Sequence, residues 1–222
     1  MRLPIDVKTL APQCLTLLLM LTALFAGCTT TPHRGVTISD FTYPWSDKPA
    51  PKTECRLHTD AERLHFTFTV EDRDIIVSRR WTNETTVASE DRVELFFATD
   101  EELRHYWCIE IDPLGRVHDY AASHYRKFDN DWNCPGLKSS AHRTPDGYSV
   151  TGSIPLATLS QLLGRPIARG SEIRLGLFRA DFYGTGASAQ GLVNDDWLSW
   201  VRPTSSKPDF HVPSAFRMFA LP

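Results

Sequence analysis

The stretch Arg63-Leu-His-Phe-Thr-Phe-Thr-Val70 alternates strictly between polar and apolar side chains, with every apolar residue at an even-numbered position. Successive residues of a strand point to opposite faces of a sheet. The alternation therefore predicts a β-strand with one face against a core and the other toward solvent. The segment Thr59–Glu62 before it predicts a hairpin turn, with Cys55–His58 as the partner strand.

The chain that follows repeats the β pattern and carries one helical signal. Pro155 suits the first position of a helix, a leucine stripe runs from Leu156 to Leu163, and Gly164 suits the C-terminal cap. Several short strands with one short helix predict an all-β fold, an antiparallel β-sandwich. The further predicted strands are Val93–Phe97, Tyr106–Asp112, Tyr148–Ile154 and Ile173–Ala180.

The N-terminal segment has a different character. Its apolar run from Cys14 to Phe25 is shorter than the about 20 helical residues that span a membrane, and it predicts a signal peptide. The tetrapeptide Phe25-Ala-Gly-Cys28 resembles a bacterial lipobox, which implies a lipid on Cys28; an ordinary secretory signal is the alternative. We therefore predict a lipoprotein signal peptide over residues 1–27, a tether over 28–39 and a domain over 40–222, anchored to the bacterial cell envelope at the outer membrane or periplasmic face.

The net charge and the cysteine content bear on nucleic-acid binding, zinc binding and disulfide formation. The formal net charge of −3 gives no electrostatic reason to bind nucleic acid, so no nucleic-acid partner is predicted. Three cysteines, Cys55, Cys108 and Cys134, remain beyond the signal and the lipidated residue, and their spacing matches no zinc pattern. An exported compartment permits one disulfide, for which the pair Cys108 and Cys134 is preferred.

Glu94 is a carboxylate inside an otherwise apolar strand. Pleating places its neighbours Val93 and Leu95 on the core face, and Glu94 with Phe96 on the other. Glu94 is then either a solvated surface group or part of a binding site. The mixture of carboxylates and aromatic rings on this face and on Tyr106–Asp112 favours a sugar site, since hydroxyls bind carboxylates and the C–H face of a sugar packs on aromatics.

These residues carry a resemblance to the family 9 carbohydrate-binding module over about residues 40–222. The resemblance implies a jelly-roll or DOMON-like β-sandwich that binds a saccharide without catalysis, is often paired with glycoside hydrolases, and holds a structural calcium. The matching segments occur in the family's order: Asp91–Phe97, Tyr106–Gly115, Gly147–Pro155, Leu177–Arg179, Ser199–Trp200 and Phe210–Phe216.

The resemblance also assigns roles to residues. Glu94 matches the strand glutamate that accepts hydrogen bonds from sugar hydroxyls, and Glu110 lies at a further contact position. Some members hold the sugar between two tryptophans. Phe210 stands at the second of these positions, whereas the first has no match at Ala88, and Trp81 lies further upstream.

Other residues have both a binding and a structural interpretation. Trp81 and Trp132 are loop residues that could stack on a ligand or cover the core. Arg179 could bind hydroxyls or pair with Asp181. His211 could donate to a ligand or tie its loop to the sheet. For the calcium, hard oxygen ligands come from Asp72 and Asp74, or from the Asp129–Asp131 loop.

Three functions stay open at this stage. The favoured one is non-catalytic saccharide binding by a lipid-anchored protein that supports polysaccharide breakdown, with a polysaccharide-degrading enzyme as a partner and no required cofactor besides the structural calcium. A glycoside hydrolase acting on O-glycosyl bonds would use Glu94 with Glu110 or Asp91. A haem-binding redox module of related fold would use Met218, in the predicted core strand Phe216–Ala220, with a histidine.

Overall fold

Two antiparallel sheets enclose one apolar core in the computed structural model, which describes residues 35–184 and 194–222. The first sheet has the strand order β1-β2-β3-β9-β8. The second has the order β11-β10-β4-β5-β6-β7, with β12 also paired to β10. The strands are β1 (Val36–Ile38), β2 (Thr53–Thr59), β3 (Arg63–Glu71), β4 (Arg92–Ala98), β5 (Tyr106–Ile111), β6 (Val117–Ser123), β7 (Lys127–Asp129), β8 (Lys138–Thr144), β9 (Gly147–Pro155), β10 (Glu172–Tyr183), β11 (Asn194–Ser199) and β12 (Arg217–Ala220).

The alternating stretch forms β3, and its apolar side chains lie in the core between the sheets. Its hairpin with β2 and its pairing with β9 are both antiparallel, so the predicted all-β antiparallel sandwich is confirmed. One α-helix is described, α1 (Leu156–Leu162), with short 3₁₀ helices at Glu84–Ser89 and Pro213–Ala215. Pro155 ends β9 and precedes the helix, while Gly164 has a φ of 65° just after the helix end, as a C-terminal glycine should.

Buried residues cover both faces of the seven-stranded sheet, one face in the sandwich core and the other in a second cluster. The pocket described below lies on that second face. All seven residues of β4 are buried. Val93 and Leu95 face the sandwich core, whereas Phe96 belongs to a second apolar cluster on the outer face. That second cluster also contains Tyr106, Cys108, Phe178, Phe210 and Phe216.

Two expectations from the sequence are wrong. Cys134 lies in the sandwich core and Cys108 in the outer cluster, so the sheet separates them, and all three described cysteines are buried free thiols. Met218 is not in a core strand, because β12 lies at the edge of its sheet and leaves Met218 46% exposed. Among the described residues, no helix is both long and apolar enough to cross a membrane. Residues 1–27 and Cys28 lie outside the described residues.

Candidate functional site

A pocket of about 280 Å³ opens on the outer face of the seven-stranded sheet. Its floor comes from β4, β5 and β6, and its walls from β7, β11 and the segment before the second 3₁₀ helix. Both charged and aromatic side chains line it: Ala88, Arg92, Glu94, Glu110, His118, Tyr120, Arg126, Phe128, Asn130, Trp197, Pro208, Asp209, Phe210 and His211.

Strand register places a row of polar groups across the floor. Glu94 of β4 is paired with Glu110 of β5, and Glu110 is paired with His118 of β6. Directly paired residues of neighbouring strands share a face of the sheet, so all three side chains point into the pocket. Arg92, two residues before Glu94 on the same strand, points the same way.

Arg92 lies between the two glutamates. Its Nε atom is 2.9 Å from Glu94 Oε1 and 2.9 Å from Glu110 Oε2, and all three side chains are almost completely buried. Another of its nitrogens donates to the carbonyl oxygens of Ala88 and Glu90, which fixes the guanidinium. The guanidinium carbon also lies 5.3 Å from the ring centre of Trp197, a cation–π distance.

The two glutamates ionise very differently. Burial raises the pKa of Glu94 to about 8, since the opposing attraction of Arg92 is too small to cancel it and the charge of Glu110 adds to the rise. Burial would also raise the pKa of Glu110, but Arg92, His118 and Tyr120 together lower it to about 2. Near neutral pH the floor therefore holds a protonated Glu94 beside an ionised Glu110.

Glu110 is held from the β6 side. The hydroxyl of Tyr120 donates to Glu110 Oε1 at 2.9 Å, and His118 Nδ1 lies 3.4 Å from Glu110 Oε2. Burial would lower the pKa of His118, but its contact with Glu110 outweighs burial and raises that pKa above its usual value. Glu110 thus has partners on both sides, which fixes its carboxylate as a charged acceptor.

Aromatic rings form the upper walls. Phe210 stacks on Phe178 with ring centres 4.1 Å apart, and Trp197 meets Phe210 edge to face. His211 Nδ1 lies 3.1 Å from the hydroxyl of Tyr106. Burial first, and then the nearby positive Arg126, lower the pKa of His211 to about 4, so this ring is neutral in the unliganded pocket.

Some polar atoms of the floor have charged or polar neighbours but no well-aligned hydrogen bond within the described part of the chain. Arg92 Nε and Glu94 Oε1 are close but are not aligned for a hydrogen bond, and both are buried without one, as is His118 Nε2. Buried polar groups in proteins almost always have a partner, because leaving one unpaired costs about 1–3 kcal/mol. One donor, one acceptor and one imidazole nitrogen are therefore available to a ligand that carries hydroxyl groups.

Four of the residues singled out from the sequence meet in this pocket: Glu94, Glu110, Phe210 and His211. The solvated interpretation of Glu94 is wrong, because the side chain is only 1% exposed. The outward direction of Glu94 and Phe96, by contrast, is confirmed, since both lie on the face away from the sandwich core.

The other three candidates do not line the pocket. Trp81 is 45% exposed, and the guanidinium of Arg116 packs over its ring at 5.0 Å. Trp132 packs against the sandwich core. Arg179 is fully buried, and its NH2 nitrogen binds the carboxylates of Asp72 and Asp181. All three side chains therefore contact other parts of the domain and do not contribute to the pocket.

The acidic residues that group in the structure differ from the calcium ligands predicted from the sequence. Asp72 groups with Asp91 and Asp181, whose carboxylate oxygens lie within 4.8 Å of one another. Asp74 is not in this group, and its Oδ2 accepts a hydrogen bond from the backbone of Gly184. Burial, and then the charge of Asp72, raise the pKa of Asp91 to about 8. Arg179 contacts Asp72 and Asp181 in this group.

Sequence reasoning missed several lining residues. Arg92 could have been found, because it precedes Glu94 by two positions and shares its face. His118 and Tyr120 show the same alternation on β6. Trp197 and Phe128 could not have been found in this way, because only the pairing of β11 with β10 and of β7 with β6 brings them to the pocket.

A pocket with a charged floor and aromatic walls, set on the outer face of a β-sandwich, defines a ligand-binding domain of the β-sandwich class. The chain belongs to the family described as carbohydrate family 9 binding domain-like, which matches residues 33–221. The resemblance found in the sequence is thereby confirmed. No curated protein matches the chain.

Solved structures show the same fold at low sequence identity. A proposed carbohydrate-binding protein from Bacteroides uniformis ATCC 8492 is 13% identical over 86% of this chain and 87% of its own, with a TM-score of 0.62. A family 9 carbohydrate-binding module from Caldicellulosiruptor kristjanssonii in complex with cellotriose is 13% identical over 85% and 82%, with a TM-score of 0.53. A structure of a family 9 module from the same organism in complex with glucose is 14% identical over 86% and 84%, with a TM-score of 0.51.

Proposed function

We propose that this protein binds a saccharide in the pocket and does not cleave it. The observation that carries the proposal is a set of buried floor atoms for which the described residues provide no aligned hydrogen bond: Arg92 Nε, Glu94 Oε1 and His118 Nε2. A sugar hydroxyl both donates and accepts, so neighbouring hydroxyls could satisfy a donor and an acceptor that lie side by side. The walls supply Trp197 and Phe210 for the C–H face of the ring. Family membership and the sugar-bound relatives support the same ligand class.

We further propose that the domain acts as a lipid-anchored protein of the bacterial cell envelope, attached through Cys28. The support is the apolar run that ends in Phe25-Ala-Gly-Cys28. A tether after the lipid would leave the pocket free to reach a polysaccharide, next to an enzyme that degrades it. Radiolabelled palmitate incorporation in a bacterial host, lost in Cys28→Ala, tests the anchor independently of sugar binding.

A glycan array followed by calorimetry tests the binding proposal. We expect Glu94→Ala, which removes the acceptor, and Trp197→Ala, which removes the ring, to weaken binding of the best array ligand at least tenfold. Trp81→Ala is the matched control, because this tryptophan is exposed and does not line the pocket. Equal losses in Trp81→Ala and Trp197→Ala would contradict the location of the site, and an array with no bound glycan would contradict the function.

A glycoside hydrolase is the second candidate, and one observation favours it. Glu94 and Glu110 have pKa values of about 8 and 2, the separation that an acid and a nucleophile or base require. Arg92 Nε, however, lies 2.9 Å from both carboxylates, in the space that the anomeric carbon or a water would have to occupy. Asp91 cannot replace either glutamate, because its two oxygens accept backbone hydrogen bonds from Ile76 and Phe182. Release of reducing sugar, abolished in Glu94→Gln, would establish hydrolysis.

The haem alternative lacks its methionine ligand in the pocket, since Met218 is exposed at the edge strand β12 and is not a lining residue. A purified protein with a Soret band would nevertheless restore it. Binding without cleavage therefore remains the function that the geometry supports best.

A structural calcium ion fits the acidic group described above. Asp72, Asp91 and Asp181 supply hard carboxylate oxygens, and Ca²⁺ prefers such ligands. The buried hydroxyl of Tyr148 has no hydrogen bond among the described residues and interacts electrostatically with all three carboxylates, so a cation-bound water would satisfy it. We expect added Ca²⁺ to raise the melting temperature of the wild type and to have no effect on Asp91→Asn. Equal shifts in both proteins would place the ion elsewhere.

A further inference from the structure

The mouth of the pocket carries an exposed aromatic surface next to its lining. Phe128 lines the pocket and is still 41% exposed. Tyr125 does not line the pocket and is 53% exposed. Tyr125 and Arg126 lie in the turn between β6 and β7, and Phe128 lies in β7; we call these three residues the rim platform (Tyr125, Arg126 and Phe128). Isolated apolar residues on a surface need no explanation, but an aromatic pair continuous with a binding pocket does.

Contacts with Arg126 and with aromatic rings that line the pocket fix the position of the rim platform. The guanidinium carbon of Arg126 lies 5.9 Å from the ring centre of Tyr125 and 5.5 Å from that of Phe128, so one cation packs against both rings. Phe128 also meets Tyr120 and His211 edge to face, with ring centres 5.2 and 5.0 Å apart. Both partners line the pocket. The platform is therefore held in a fixed position relative to the floor.

The polar tips of the platform are already satisfied. The hydroxyl of Tyr125 donates to Asp209 Oδ2, and Arg126 donates to Asp209 Oδ1 at 2.9 Å. Asp209 lines the pocket and also accepts a hydrogen bond from the backbone of His211. What the platform leaves open is mainly ring surface. Such a surface suits the flat C–H face of a sugar ring, which needs no hydrogen bonds there.

We propose that the rim platform is a second saccharide subsite, which holds the sugar ring next to the one bound in the pocket. The ligand class is then an oligosaccharide of two or more rings that enters the pocket by one end. This inference rests on the proposed function, because it assigns the first ring to the pocket floor. Stacking on an aromatic pair accounts for a two- to tenfold gain in affinity for the longer ligand, by about the energy of one aromatic contact.

The test compares ligand lengths on the purified protein. A glycan array carrying mono-, di- and trisaccharides of each sugar selects a trisaccharide and its terminal monosaccharide, and calorimetry measures both. We expect the trisaccharide to bind about two- to tenfold tighter than the monosaccharide in the wild type. Tyr125→Ala should remove this advantage and keep monosaccharide binding, since Tyr125 is outside the pocket lining.

Tyr125→Phe is the matched variant, because it keeps the ring and loses only the hydrogen bond to Asp209. It should retain the advantage of the trisaccharide. An equal loss in Tyr125→Phe and Tyr125→Ala would show that Tyr125 acts only by positioning Asp209, and would overturn the subsite. Equal affinity of the wild type for both ligands would overturn the subsite alone. Absence of binding to any glycan would overturn the proposed function together with it.

Discussion

Glu94→Gln is the substitution that tests the electrostatics of the pocket floor most directly. Burial raises the pKa of Glu94 to about 8, against the attraction of Arg92 and helped by the charge of Glu110. In the unfolded chain a glutamate ionises near pH 4.3. Between these two values the folded protein keeps a proton that the unfolded chain has lost. The contribution of Glu94 to the stability of the wild type therefore falls as pH rises through this window, and levels off above about pH 8.

The size of the effect follows from the pKa difference. Each pKa unit corresponds to about 1.4 kcal/mol, so a shift of roughly 3.5 units gives an upper value of about 5 kcal/mol. Glutamine has nearly the same shape and cannot ionise. The free energy of unfolding of Glu94→Gln should therefore gain on that of the wild type by about 1.4 kcal/mol per pH unit, from near pH 4.5 to near pH 8.

Urea denaturation at several pH values between about 5 and 9 measures this difference. Glu62→Gln is the control, because Glu62 is exposed on the turn before β3, and its curve should stay parallel to that of the wild type. A Glu94→Gln curve that also runs parallel to the wild type would refute the reasoning. It would mean that Glu94 is ionised throughout and that Arg92 compensates it completely.

Three further predictions concern the fold. Arg92→Met should lower the free energy of unfolding by about 3–5 kcal/mol in urea, because it removes the guanidinium that faces the buried charge of Glu110, whereas Arg104→Met at an exposed position should cost less than about 1 kcal/mol. Gly152→Ala should cost about 1–3 kcal/mol or more by thermal melting, since a Cβ there would lie 2.2 Å from Phe66 Cζ; an unchanged melting temperature would contradict the packing of β9 on β3. The three buried cysteines of the domain should react with a maleimide only after denaturation, and peptide mapping of a native sample that finds them modified would contradict their burial.

The alternation of polar and apolar residues predicts most of the fold. It does not predict which residues of different strands share a face, because that depends on strand pairing. The apolar positions of β3 and the orientation of Glu94 follow from the pleat alone. Arg179 shows the limit. It is paired with Val93 of β4, and Glu94 is paired with Phe178, so Arg179 shares the core-facing side and Phe178 the pocket side. Without the register between β10 and β4, the sequence offers no means of choosing between these two faces.

Contacts between distant parts of the chain account for the rest. Trp197 reaches the pocket because β11 pairs with β10, and Asp209 because its segment covers the outer face of the same sheet. The exported compartment and the number of cysteines favour a disulfide between Cys108 and Cys134, yet the seven-stranded sheet lies between these two residues. In each case the missing information was the side of a sheet on which a residue lies, which spacing along the chain does not contain.

The buried charged residues of the floor are not explained by a gain in folding stability, but ligand binding would explain them. A buried group of one arginine and two glutamates is no better for stability than apolar residues of the same size, and within the described part of the chain some of its atoms also lack an aligned hydrogen bond. A ligand hydroxyl that reached both atoms from the pocket side would supply the aligned hydrogen bonds, so part of the cost that folding leaves in the floor would become affinity. A saccharide should therefore stabilise the domain on binding, and this stabilisation should shrink in Glu94→Ala, where the acceptor that the hydroxyl needs is gone.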